Sequence, residues 1–171
     1  GARQLAEATA PPKCMYTSPD ILALEQERIF GAGWLCAGRA DEIARPGDYM
    51  TFEMGPQPVI LVRGKDGVVL AHANTCRHRM MRLVEGKGNA SRFTCPYHAW
   101  TYGLDGGLVA APHMDRTSCF DKKELSLADI RCEIYQGWIY VTLNGGARPV
   151  ADMLAPLTSV IERYGQEHYR T

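Results

Sequence analysis

Two short segments dominate this chain: Cys76-Arg77-His78 and Cys95-Pro96-Tyr97-His98, with sixteen residues between His78 and Cys95. They divide two thiols and two imidazoles evenly between two arms. A fold that brings the arms together acquires two soft anionic sulfurs and two neutral nitrogens at one place. Two sulfurs suit one ferric ion, and two imidazoles leave a second iron less electron-rich and easier to reduce. Any fold for this chain must therefore project both arms from one end of a scaffold.

Two readings compete. A [2Fe–2S] centre of the Rieske type takes two Cys on one iron and two His on the other. A structural zinc ion also accepts two Cys and two His, but usually as a C-x2–4-C pair followed by an H-x3–5-H pair. Here each arm is a Cys–His hybrid, which favours the two-iron centre.

The scaffold reads as antiparallel β. Strand-like segments run over 34–39, 49–54, 59–63, 68–73, 92–94, 99–102, 130–135 and 138–143. Gly64-Lys65-Asp66-Gly67 and Gln136-Gly137 fall where hairpin turns belong, and Leu104-Asp105-Gly106-Gly107 is a further turn. Residues 1–17 read as an extended arm, since Ala10-Pro11-Pro12 opposes a helix. Ser18-Pro19-Asp20 predicts a helix start, with Leu22, Gln26, Ile29 and Phe30 on one face and Gly31 and Gly33 at its end. Helical spacing returns from Ala151 to Tyr164, interrupted by Pro156. The expected organisation is an arm over 1–17, a domain over 18–148 and a linker helix over 149–171.

Composition narrows the function. Lys plus Arg and Asp plus Glu both total 19, so global charge gives no reason to expect nucleic acid as a partner. No apolar run reaches membrane-spanning length, and the first residues lack the apolar centre of a signal peptide. A cytoplasmic protein is expected, with Cys14, Cys36, Cys119 and Cys132 as reduced, partly buried thiols. Local charge differs: residues 76–98 hold Arg77, Arg79, Arg82, Lys87 and Arg92 against Glu85. Such a collar either is simply solvated or attracts an acidic partner.

The segment Cys76-Arg77-His78-Arg79, with Cys95-Pro96-Tyr97-His98-Ala99-Trp100-Thr101-Tyr102, resembles the Rieske domain of ring-hydroxylating oxygenase α subunits. Leu104-Asp105-Gly106-Gly107-Leu108, Ala111-Pro112, Trp34, Gly47-Asp48-Tyr49 and Pro58 to Arg63 continue the likeness, over roughly residues 16–145. The resemblance implies a Rieske-type antiparallel β fold with a cluster-binding subdomain. It implies Cys76 and Cys95 on the inner iron, and His78 and His98 on the outer iron near the surface. It further implies electrons from an NAD(P)H-linked reductase or a ferredoxin, delivery to a mononuclear Fe(II), and assembly as a head-to-tail homotrimer. Related α subunits hydroxylate aromatic rings, demethylate O- or N-methyl groups or oxidise quaternary amines. A free-standing Rieske-type ferredoxin is the alternative, although it needs neither the N-terminal nor the C-terminal helix.

Departures from related proteins carry information. Respiratory Rieske proteins have a disulfide between the loops, at the places of Met81 and Tyr97 here, and a Ser at the place of Trp100. Fewer hydrogen bonds to sulfur imply a potential near the low end of roughly −150 to +300 mV. Met80 stands where the family commonly has Gly. Past His98 only His113 and His168 remain, and neither has the neighbours of a two-His, one-carboxylate iron site. The oxygenase site is therefore not expected within these residues, and 149–171 reads as the start of a link to it.

Overall fold

The apolar run Val59-Ile60-Leu61-Val62 marks the middle of the molecule. In a computed structural model, which describes residues 9–114 and 116–170, all four are fully buried. A strand covered on both faces has no polar side to present, so its sequence is continuous rather than alternating. Ile60 and Val62 enter one core, with Phe93, Trp100, Tyr102 and both cysteines of the arms. Val59 and Leu61 enter a second core, with Ile43, Met50, Met54, Ile139 and Val141. One strand thus joins the scaffold to the arms.

The strands are β1 (Leu35–Arg39), β2 (Asp48–Met54), β3 (Gln57–Arg63), β4 (Val69–Ala73), β5 (Lys87–Asn89), β6 (Phe93–Thr94), β7 (Thr101–Tyr102), β8 (Leu108–Ala110), β9 (Asp129–Tyr135) and β10 (Trp138–Thr142). A seven-stranded sheet has the order β1-β10-β9-β4-β3-β2-β5, and a three-stranded sheet the order β6-β7-β8. Every pairing is antiparallel. The mainly β class with a separate small sheet agrees with the sequence reading. Both hairpin turns lie where expected. Gly64 N–H donates to the Val68 carbonyl at 2.7 Å, and Gln136 and Gly137 take positive φ of 51° and 78°, the pairing a two-residue hairpin needs.

The short strands β5 and β8 were not predicted as strands. β5 is Lys-Gly-Asn with no apolar residue, and it is recruited by pairing with β2. Helix α1 (Cys14–Thr17) replaces the last residues of the expected extended arm, whose residues 1–8 lie outside the described residues. Helix α2 (Pro19–Glu25) starts at Ser18 with Pro19 in its first turn, but the Ser18 side chain makes no capping bond. It continues as a π-helical turn, Gln26–Phe30. The shared face of Leu22, Ile29 and Phe30 is exposed, not packed.

Helix α3 (Val150–Leu154), a 3-10 turn containing Pro156, and helix α4 (Thr158–Glu162) follow the β domain. This segment is anchored. Buried Arg39 donates to Asp41 and to the carbonyls of Gln166 and Tyr169, and lies over the Trp138 ring at 5.1 Å. Trp138 donates to the Gln166 side chain at 3.1 Å, and the Tyr135 and Thr158 hydroxyls meet at 3.0 Å. None of the six cysteines is in a disulfide. Cys14, Cys36 and Cys119 are exposed, against the expectation of partial burial, whereas Cys132 is half-buried. Among the described residues no helix is long and apolar enough to cross a membrane.

Candidate metal centre

Both arms follow one backbone plan. In the first, the Cys76 carbonyl accepts from Met80 N–H at 2.9 Å, and Cys76 N–H donates to the Met81 carbonyl at 2.8 Å. In the second, the Cys95 carbonyl accepts from Ala99 N–H at 3.0 Å, and Cys95 N–H donates to the Trp100 carbonyl at 2.7 Å. Each turn is closed by a residue at positive φ, Met80 at 55° and Ala99 at 56°. That conformation favours glycine, which explains a Gly where this chain carries Met80. Thr75-Cys76 and Thr94-Cys95 thus open two copies of one loop.

Scaffold residues pin the arms. Asn74 is fully buried just before the first arm. Its side chain accepts from the N–H groups of Leu83 and Val84 and donates to the Val84 carbonyl, which fixes both ends of that loop. The second arm spans β6 and β7, paired through Phe93–Tyr102 and Thr94–Thr101. Phe93 is fully buried and meets Tyr49 of β2 edge-on at 5.6 Å, tying the small sheet to the large one. His72 makes a second tie, with Nδ1 at 3.0 Å from Asp129 and Nε2 at 3.1 Å from the Leu104 carbonyl.

The four donors separate by burial. Cys76 is 1% and Cys95 3% exposed, and the two thiols lie within hydrogen-bonding reach of each other. Burial pushes the Cys95 thiol up, while the N–H groups of Tyr97 and His98 point at its sulfur and act in the opposite direction. Tyr102 Oη lies 3.4 Å from Cys76 Sγ and accepts from Arg77 N–H at 3.0 Å; against a Cys76 thiolate, which has no proton to give, the hydroxyl is the donor. Burial and contact with Cys76 raise the Tyr102 phenol, which keeps it a donor.

His78 and His98 are exposed, with ring centroids 4.8 Å apart. Desolvation, then His98 and Arg79, lower the His78 pKa, and the neutral imidazole is the metal-ligating form. Among the described residues no three or more His, Cys, Asp or Glu side chains converge on a single metal ion. The grouping is two plus two. Of the other candidate histidines, His113 is exposed in a loop and His168 sits beside Glu167.

The basic collar is weaker than its sequence suggests. Arg82 pairs with Glu53 at 2.6 Å, and Lys87 pairs with Glu42. Arg77, Arg79 and Arg92 are exposed and have no ion pair among the described residues. Tyr102, Asn74, His72 and Arg39 were not singled out from sequence. Tyr102 alone had a signal, because it closes the motif-bearing segment.

Comparison with known proteins places the chain in a family. Residues 33–121 match the Rieske [2Fe-2S] domain. This chain belongs to that family. It is 39% identical over 144 residues to the carnitine monooxygenase oxygenase subunit of Acinetobacter baumannii, covering 84% of this chain and 39% of that protein. It is 42% identical over 135 residues to the benzene 1,2-dioxygenase subunit alpha of Pseudomonas putida, covering 78% and 30%. The fold matches the quaternary ammonium Rieske monooxygenase CntA in complex with L-carnitine with TM-score 0.82 and 38% identity, over 91% of this chain and 44% of that one. It matches naphthalene 1,2-dioxygenase from Rhodococcus sp. bound to indole with TM-score 0.82 and 31% identity, over 87% and 35%. The Rieske domain of oxygenase α subunits is thus the relative of this chain in both sequence and fold. The chain spans two-fifths or less of the length of these curated relatives.

Proposed function

We propose that this chain is the electron-carrying domain of a Rieske non-heme iron oxygenase, with Cys76 and Cys95 as ligands of the inner iron and His78 and His98 as ligands of the outer iron of a [2Fe–2S] cluster. The observation that carries this reading is the division of four donors into a buried thiol pair and an exposed imidazole pair, on two loops of one backbone plan. The donor chemistry fits the group, because anionic sulfur is met by N–H and O–H donors and His78 is held neutral.

When bound, such a cluster supplies a one-electron redox couple. The protein's residues do the remaining work. Phe93, Trp100, Leu104 and Leu108 keep water from the sulfur side. Tyr102 and the N–H groups of Tyr97 and His98 stabilise negative charge on sulfur. The exposed imidazole edges give a partner the shortest approach. Exposed Arg77 and Arg79 favour an acidic partner and speed its encounter.

The donor in this reading is an NAD(P)H-linked reductase, directly or through a ferredoxin. The acceptor is the mononuclear iron of a catalytic domain on a neighbouring subunit of a homotrimer. Relatives named for carnitine and for benzene both align with this domain, so its residues do not select a substrate class. The test is stopped-flow reduction of the loaded chain by such a donor at rising salt. Arg79→Glu should slow reduction several-fold at low salt and lose its effect at high salt. Equal rates throughout sink the docking surface, and a chain that takes no electron from any donor sinks the whole reading.

A further inference from the structure

A metal-bound imidazole is usually oriented by a hydrogen bond to its outward ring nitrogen. Among the described residues, no protein group hydrogen-bonds a ring nitrogen of His78 or His98. His78 is instead held by a ring face. The Trp100 indole lies flat on it, with centroids 4.8 Å apart and planes 8° apart. That indole is 3% exposed, and Phe120 meets it edge-on at 5.7 Å and 80°. It is a wall of the packed core, not a surface ring. Trp100 also accepts Cys95 N–H through its carbonyl. One residue therefore closes the second loop with its main chain and holds the histidine of the first loop with its side chain. His98 has no such wall: it meets His78 at 69° and the exposed Tyr97 at 61°.

We propose that Trp100 is a positioning residue that fixes the tilt of the His78 imidazole, and so the direction of its bond to the outer iron. This rests on the assignment of His78 as a ligand made above. Tilting the imidazole out of the stack would drive its edge into the indole face, whereas sliding within the plane is free. Interior packing lets the wall give little, because Phe120 and the core stand behind it.

The test uses the loaded chain. Removing a group that orients a metal-ligating histidine typically changes metal affinity about 10–100-fold. Trp100→Leu, which keeps apolar bulk but has no flat face, should lose iron to a chelator about tenfold faster than wild type. Its reduced-state EPR signal should broaden, as the outer iron samples several His78 tilts. Trp100→Phe restores a flat ring and should return both readouts toward wild type. A merely space-filling Trp100 predicts lower thermal stability with an unaltered EPR line shape in the loaded fraction, and that result overturns the proposal. Where Trp100→Leu does not fold, Phe120→Leu decides: losing the prop behind the indole should broaden the same signal, and an unbroadened one overturns the proposal. His78→Ala separates the two layers. If it leaves the signal unchanged, the ligand assignment itself fails. If it abolishes the signal while Trp100→Leu keeps the wild-type line shape, only the role of Trp100 fails.

Discussion

Replacing Tyr102 with phenylalanine removes one oxygen and two contacts, the O–H directed at Cys76 Sγ at 3.4 Å and the acceptor for Arg77 N–H at 3.0 Å. The ring stays, so the fully buried aromatic packing under the arms is kept. The lost neutral bond to Arg77 costs about 1 kcal/mol of stability, since the exposed arm lets water replace part of it. The bond to sulfur matters differently. Hydrogen bonds to charged groups contribute about 1.5–3 kcal/mol, and this one strengthens when the reduced state places more negative charge on sulfur. If about 1 kcal/mol of it distinguishes the two redox states, the one-electron potential falls by about 40 mV, at 59 mV per factor of ten. The phenol is held protonated by burial and by Cys76, so the shift should be constant from neutral to mildly alkaline pH. Protein-film voltammetry on wild-type and Tyr102→Phe protein measures it. A potential unchanged within about 10 mV, or raised, would refute the claim that this hydroxyl acts on the sulfur.

Three further outcomes are expected. Met80→Gly relieves a side chain held at φ 55°, worth about 1–2 kcal/mol against a smaller entropic cost in the unfolded chain, so thermal denaturation should shift upward by a few degrees; a downward shift contradicts the strain. Arg39→Ala removes the donors to Gln166 and Tyr169, at about 2–3 kcal/mol, and trypsin should then cut after Arg163 faster while β1 and β10 stay protected; unaltered cleavage contradicts the anchoring. Lys87, then Arg39 N–H, hold the Glu42 carboxyl below its ordinary value, and the Asn89 amide, then Arg45 N–H, do so for Asp48. Carboxyls lowered by folding stabilise above their unfolded pKa, and that contribution disappears as pH falls through the folded value. Hydrogen exchange at β5 should therefore rise in acid before exchange at β3 does, and simultaneous loss would deny those carboxylates a local role.

Much of the fold was legible because its signals are local. Gly64 to Gly67 and Gln136-Gly137 announce hairpins, and Val59 to Arg63 reads as a strand, although its burial on both faces emerges only in the fold. β5 was not legible, because Lys87-Gly88-Asn89 has no apolar pattern and becomes a strand only through its neighbour β2. The exposed face of Leu22, Ile29 and Phe30 shows that helical spacing reports the possibility of packing and not its occurrence. The proposed metal centre rests on four candidate donors that can be read from the sequence, since a cluster demands residue types that spacing displays. Its environment was not legible. Tyr102 reaches Cys76, and Trp100 reaches His78, across more than twenty positions, while His72 joins β4 to the Leu104 turn. Such contacts exist only once the two sheets meet, and no periodicity encodes them. The basic collar is weaker than residues 76–98 alone suggest for the same reason, because Glu53 and Glu42 answer Arg82 and Lys87 from elsewhere in the chain.

The most direct test is metal and acid-labile sulfide per chain on anaerobically prepared protein, with EPR after dithionite. Two irons, two sulfides and a rhombic signal at lower average g than an all-cysteine cluster are expected, with loss of that signal in each of Cys76→Ser, His78→Ala, Cys95→Ser and His98→Ala. One zinc per chain that persists through iron–sulfide reconstitution, without sulfide or signal, would contradict the assignment of these four residues to a two-iron centre.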